Sequence, residues 1–176
     1  MMRDIMLDLE TLGVDAGSAI LSIGACYWDP INGDIGEEFY NTIQISDSLN
    51  QGFSVTGSTI GWWLQQSDEA RDALFKHPVP IAAALIGFSN FVKTPKDNVW
   101  GNGSGFDNVI LRAAYEKMNI QAPWYFQNDR DMRTLKAIAK FKGIAIPNIP
   151  REGTHHNALD DAKYQAEICS YILQGL

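Results

Sequence analysis

The stretch Asp4-Ile5-Met6-Leu7-Asp8-Leu9-Glu10-Thr11 decides how the rest of the chain is read. Residues 4–8 have the apolar character of a first strand, and Asp8 and Glu10 stand two positions apart. On an extended chain, residues i and i+2 point to the same face. Two carboxylates therefore lie side by side, flanked by Ile5, Met6, Leu7 and Leu9. Like charges that close repel, and burying them unpaired is costly. A cation between them resolves that cost. A strand end that reaches solvent resolves it as well.

Outward from this strand, residues 19–28 read as a second strand rich in apolar residues. Asp29-Pro30-Ile31-Asn32-Gly33 has turn chemistry. Residues 37–45 alternate as a third strand. Three strands joined by short turns predict an antiparallel meander. Helical patterns follow. Ser58 and Thr59 are candidate caps for a helix through Ile60, Trp62, Trp63 and Leu64, and Ser67 precedes another through Ala70 to Phe75. Residues 80–92 carry apolar side chains at helical spacing. Val99-Trp100-Gly101 reads as a short strand end entering a Gly-rich loop. Helices are predicted over 106–118, over 131–141, and from about His156–Ala158 to Leu173, with a loop over 142–154. Strands first, then helices interleaved with short strands, describe one α/β domain over 1–176: a mixed sheet with helices packed against it.

Composition narrows the classes. At 176 residues, 45% hydrophobic and 20% charged, the chain suits one globular domain with a sizeable core. No apolar run approaches the roughly 18–20 residues that span a bilayer, so no membrane association is expected. The start, Met1-Met2-Arg3-Asp4-Ile5-Met6, has no secretory h-region and reads as the beginning of the first strand. Cys26 and Cys169 sit in apolar stretches without CxxC spacing, as buried free thiols of a cytoplasmic protein would. The net charge of −7 argues against non-specific nucleic-acid binding. That argument weakens if several carboxylates hold cations, because bound cations reverse the local field.

Two more features carry chemistry. In Asn102-Gly103-Ser104-Gly105-Phe106-Asp107, glycines loosen the chain and an acidic residue opens a helix. Helix capping is one reading of Asp107. Close backbone approach to a ligand is another. In His155-His156-Asn157-Ala158-Leu159-Asp160-Asp161-Ala162, a histidine follows a loop that can place it beside carboxylates and let it take a proton from water. The remaining histidine, His77, precedes Pro78 and reads as a surface residue.

Together, Asp8-Leu9-Glu10-Thr11, Asn102 to Phe106-Asp107, and His156 to Asp161 resemble, in order and spacing, the motifs of the DEDDh exonucleases, which have a ribonuclease-H-like fold. Thr59-Ile60-Gly61-Trp62-Trp63 and Arg130-Asp131-Met132-Arg133-Thr134 further resemble the phage exonuclease A group and related small bacterial exoribonucleases, a phage or prophage connection. The resemblance implies a metal-dependent 3′–5′ exonuclease that releases nucleoside 5′-monophosphates from single-stranded 3′ ends. The phage-like segments favour DNA over RNA. It implies Asp8, Glu10, Asp107 and Asp161 as ligands of two divalent cations, Mg²⁺ or Mn²⁺, which suit oxygen donors, and His156 as general base. The pair His155/Asp160 has the same spacing; the family phrase, which starts at His156, favours His156/Asp161 and leaves Asp160 a capping or supporting role. Thr11 and Leu12, following the metal strand, are implied to contact the terminal nucleotide. Asn102, Trp63 and Arg133 are further substrate candidates, with Arg130 and Arg151 as candidate phosphate contacts. Of Trp62 and Trp63, about 100° apart on a helix, one reads as core and the other as a stacking surface. Relatives are often homodimers, and exposed Trp or Phe would permit that. The competing reading is a catalytically inactive nucleic-acid-binding or regulatory domain of the same fold.

Overall fold

Every residue of the second strand is buried, which is why its sequence runs apolar without alternation. It lies beside the first strand in the middle of the molecule. The structure is a computed structural model and describes residues 3–176; the strand start expected at Met1 and Met2 lies outside the described residues. The first strand, β1, spans Asp4–Thr11, longer than the expected 4–8, so Glu10 falls within it. β2 is Ile20–Trp28, β3 Ile35–Thr42, β4 Asn98–Gly101 and β5 Asp129–Asp131. The sheet order is β3-β2-β1-β4-β5. β1 pairs antiparallel with β2 and parallel with β4, β2 pairs antiparallel with β3, and β4 parallel with β5. The meander is therefore present, extended by two parallel strands.

The helices are α1 (Ile45–Asn50), α2 (Gly57–Trp63), α3 (Asp68–Ala73), α4 (Ile81–Phe91), α5 (Asp107–Lys117), α6 (Met132–Lys142) and α7 (Ala158–Gln174). They cover both faces of the sheet. Ile5, Leu7 and Leu9 join the core with Leu85 and Phe88 of α4 and Leu111 of α5. Met6 joins Cys26, Trp28, Leu135 of α6 and Ala162, Ala166 and Cys169 of α7 on the other face. The period of two that carries Met6 to the α6/α7 face carries Asp8 and Glu10 there as well.

Three expectations are corrected. The third strand stops at Thr42 rather than Ile45, because Ile45 opens α1; Asp47 in its first turn then accepts the amide of Ile81 at 2.8 Å and fixes the start of α4. The cap of α2 is Thr56, not Ser58 or Thr59, and it makes no side-chain cap bond. Residues 129–131 form β5 before the helix begins; Asp131 then caps α6 by accepting the Thr134 amide at 2.7 Å. Cys26 and Cys169 are free and buried. Among the described residues, no helix is long and apolar enough to cross a membrane.

Candidate active site

The carboxylates meet where α7 begins over β1. Asp8 faces Gly24 across the β1–β2 pairing, and the first turn of α7 rests on that glycine. Asn157 caps α7 by accepting the amides of Leu159 and Asp160, at 3.1 and 3.2 Å. With the cap supplied by Asn157, neither aspartate is needed for it. Asp160 turns outward and accepts the Thr154 amide at 2.8 Å, tying down the preceding loop. Asp161 lies on the cleft side and is buried. Asp107 is the first residue of α5 and Phe106 its cap position. Rather than capping, Asp107 Oδ1 accepts the backbone amide of Leu9 at 3.2 Å, which docks α5 against β1.

A cleft of about 180 Å³ results, lined by Asp8, Glu10, Asp107, Asp161 and His156 together with Asn102 and Arg133. His156 Nδ1 lies 3.9 Å from Glu10 Oε1. Donor atoms of Glu10, His156 and Asp161 all fall within 4.8 Å of one another. His156 has φ 64°, in the left-handed region that non-glycine residues seldom occupy. Its ring packs edge-on against Trp62, 4.8 Å between centroids, with His155 3.8 Å away on the exposed side.

Burial and mutual repulsion dominate the electrostatics. Burial pushes the Asp8 carboxyl well above the usual range, with Asp107 and Asp161 adding to it. Glu10 is pushed up to about 10, first by burial and then by Asp8. Asp107 rises to about 7 through burial, against the lowering pull of the Leu9 amide. Asp161 is raised by burial even though the Arg151 guanidinium bonds its carboxylate. His156 is lowered by burial and by His155, against the pull of Asp161, and the net effect favours the neutral, proton-accepting form of the imidazole. Buried Glu10, Asp107 and Asp161 beside half-buried Asp8, without sufficient counter-charge, fit divalent cations, which take hard oxygen donors and favour the ionised form.

The sign for stability follows. A carboxyl whose folded pKa is raised stabilises the fold at low pH, and that contribution is lost as pH rises through the raised value. His156 acts oppositely, but only around and below its ordinary 6.5. In EDTA the melting temperature is expected to fall between pH 5 and pH 8 as Asp107 and its neighbours are forced to ionise. Mn²⁺ is expected to reverse the fall, because ligand carboxylates release protons on binding. Thermal melts across that range test this; a melting temperature in EDTA that stays level or climbs would contradict it.

A second pocket, about 330 Å³, adjoins the cleft and shares Leu9, Glu10 and Phe106 with it. Val14, Ser58, Thr59 and Trp62 line its far wall. Trp62 is the exposed tryptophan at 41%, whereas Trp63 is 6% exposed and donates its indole N–H to the Thr11 carbonyl at 2.9 Å. Thr11 borders the pocket, its hydroxyl donating to the Gly13 carbonyl at 2.6 Å. Leu12 packs into the core; the apolar side chain exposed at the pocket is Val14. Arg133 lies over Gly103 at the cleft. Arg151 reaches Asp161 and stacks on Tyr164, 4.5 Å from its ring centroid. Arg130 is held on the carbonyls of Gln127 and Asp129, and His77 is exposed. Sequence reasoning missed Gly24, on which the first turn of α7 rests, and Gln165, whose amide donates to Asp8.

Residues 3–173 match the family model of the 3′–5′ exoribonuclease Rv2179c-like domain. The chain belongs to that family. It is a 3′–5′ exonuclease with a ribonuclease-H-like fold. The exodeoxyribonuclease of Enterobacteria phage T4 is 24% identical over 207 residues, covering 98% of this chain and 90% of the phage protein. Among solved structures, E. coli exonuclease I in complex with a dT13 oligonucleotide superposes with a TM-score of 0.67 at 18% identity over 94% of this chain. The chain spans only 39% of that exonuclease I chain. The nuclease domain of 3′hExo, a DEDDh family member bound to rAMP, superposes at 0.65 with 14% identity, over 98% of this chain and 92% of that domain.

Proposed function

We propose that this member of the family removes nucleoside 5′-monophosphates one at a time from single-stranded 3′ ends, with Asp8, Glu10, Asp107 and Asp161 holding two divalent cations, Mg²⁺ or Mn²⁺, and His156 as general base. The observation that carries the reading is convergence. β1, α5 and the start of α7 bring five side chains, far apart in sequence, into one cleft. Bound there, two cations would stabilise charge on the attacking and leaving oxygens of an in-line displacement.

The chain's own residues do the rest. His156, neutral and beside Glu10, takes a proton from the attacking water. As that water's oxygen bonds to phosphorus, the bond from phosphorus to the 3′ oxygen breaks, and the departing oxygen takes a proton from solvent. The shortened strand keeps a 3′-hydroxyl and the released nucleotide keeps the 5′-phosphate. The adjoining pocket receives the terminal nucleotide. Trp62 offers its exposed face to the base, a contact worth about 1–3 kcal/mol, and Val14 and Phe106 close the pocket around it. Arg133, at the cleft rim, meets the scissile or neighbouring phosphate. These positive groups and the cations act locally, so the net charge of −7 is no obstacle.

Single-stranded RNA and DNA are both proposed substrates, RNA on the family's description and DNA on the phage relative's. The test uses matched RNA and DNA oligomers labelled at one end or the other, with Mn²⁺ or EDTA. A 3′ label is expected in mononucleotide at once, and a 5′ label in a ladder that shortens stepwise. EDTA should stop both. Release from the 5′ end first, or release that ignores EDTA, would sink the proposal; the ratio of rates ranks the two polymers.

A further inference from the structure

Asp8 is held by a side chain from another element. Gln165 lies on α7 one turn past Asp161, is 5% exposed, and its Nε2 donates to Asp8 Oδ1 at 2.7 Å. Spacing of four puts Asp161 and Gln165 on one face of the helix. One element thus supplies a carboxylate and orients a second one on β1. The other amide atom, Gln165 Oε1, is buried and has no hydrogen-bond partner among the described residues. A buried acceptor without a partner destabilises the fold. A Leu or Met here would fill the same space between helix and sheet without that penalty. Packing therefore gives no reason for an amide at this position. Its donor bond to Asp8 does.

The donor's neutrality matters too. Arg151, bonded to Asp161, brings a positive charge that competes with any cation for the carboxylate. An amide fixes Asp8 without cancelling the negative charge on which cation binding depends. It occupies Oδ1 and, among the described residues, leaves Oδ2 without a side-chain donor. Groups that orient metal-binding carboxylates in this way tune affinity although they never touch the ion.

We propose that Gln165 is a positioning residue of the cation site: its amide fixes the orientation of the Asp8 carboxylate and thereby sets the affinity for divalent cations. The inference rests on the cation-site reading above. The experiment titrates Mn²⁺ calorimetrically into metal-free wild-type, Gln165→Leu and Gln165→Met proteins, and follows their melting in EDTA. Both variants are expected to bind Mn²⁺ about 10–100-fold more weakly. Half-maximal turnover should need correspondingly more Mn²⁺, and turnover at saturating Mn²⁺ should recover to within a few-fold. Melting in EDTA should change by only a few degrees, because the variants remove the unpartnered Oε1 but also leave Asp8 Oδ1 without its donor. Unchanged Mn²⁺ affinity with a lowered melting temperature would make Gln165 a packing residue and overturn the inference. Wild-type protein that binds no Mn²⁺ would overturn the cation-site reading, and the inference with it.

Discussion

Asp8→Asn is expected to lower turnover on the order of 10³-fold and, in EDTA at pH 8, to raise the melting temperature. Both effects have one cause. Asp8 lies within a group of carboxylates whose ionisation is opposed by burial and by one another. Asparagine keeps the shape. Its carbonyl can still accept the Gln165 amide, and its own amide can donate to the remaining carboxylates. The metal-free fold thus loses a repulsive charge and gains donors. Each kcal/mol gained raises melting by roughly 2–4 °C in a domain of this size. Activity moves the other way, because an amide is a far poorer partner for Mg²⁺ or Mn²⁺. A loss of about 4 kcal/mol of barrier lowering corresponds to the stated factor. Stored repulsion at the site is thus a stability–activity trade-off. Initial rates at saturating Mn²⁺ and melts in EDTA measure the two halves. Wild-type turnover by Asp8→Asn would remove Asp8 from the site. Lost turnover with a lower melting temperature would show that Asp8 stabilises the metal-free fold.

Asp8 and Glu10 were legible because a period of two is fixed by the extended backbone and needs no knowledge of the fold. The phase fails just beyond them. The β1–β2 register shifts between Glu10 and Thr11, and this irregularity precedes the turn of Leu12 into the core, leaving Val14 at the pocket. Strict alternation cannot anticipate an irregularity of that kind. Adjacent tryptophans at 100° could be divided into core and surface, but which was which depended on the bond from Trp63 to the Thr11 carbonyl, a tertiary contact. β5 spans only Asp129–Asp131, too short for a periodic signal; its position owes much to Asp129, which accepts from Asn108, Arg112 and Trp124. α1 was hidden because Ile43, Gln44 and Ile45 continue the look of a strand. Gln165 gave no signal at all: an amide on a helix looks like a solvated side chain until the fold sets a carboxylate opposite it.

Gly24 was equally silent inside the apolar run of β2, yet its replacement is expected to be among the most damaging outside the carboxylates. An ideal Cβ at Gly24 would sit 2.1 Å from the Ala158 carbonyl carbon and 2.2 Å from the Leu159 nitrogen. These are backbone atoms in the first turn of α7, and no rotamer change can move them aside. Relief requires shifting that turn by on the order of 1 Å, and misplacement on that scale is enough for a roughly 10²-fold loss of turnover. The same turn is entered through His156 and Asn157 and carries Asp161, so two of the proposed catalytic groups move with it. Gly24→Ala should also destabilise the fold by about 1–3 kcal/mol, the usual range for overpacking. Gly17→Ala is the control, since nothing lies within 4 Å of a Cβ there, and it should match the wild type in rate and melting. A sharper check adds Ala158→Gly to Gly24→Ala. The clash is with the peptide group rather than the Ala158 methyl, so the double variant should recover neither rate nor melting temperature. Recovery by Ala158→Gly would show that side-chain crowding, and not backbone contact, sets the position of α7 over the active-site strand.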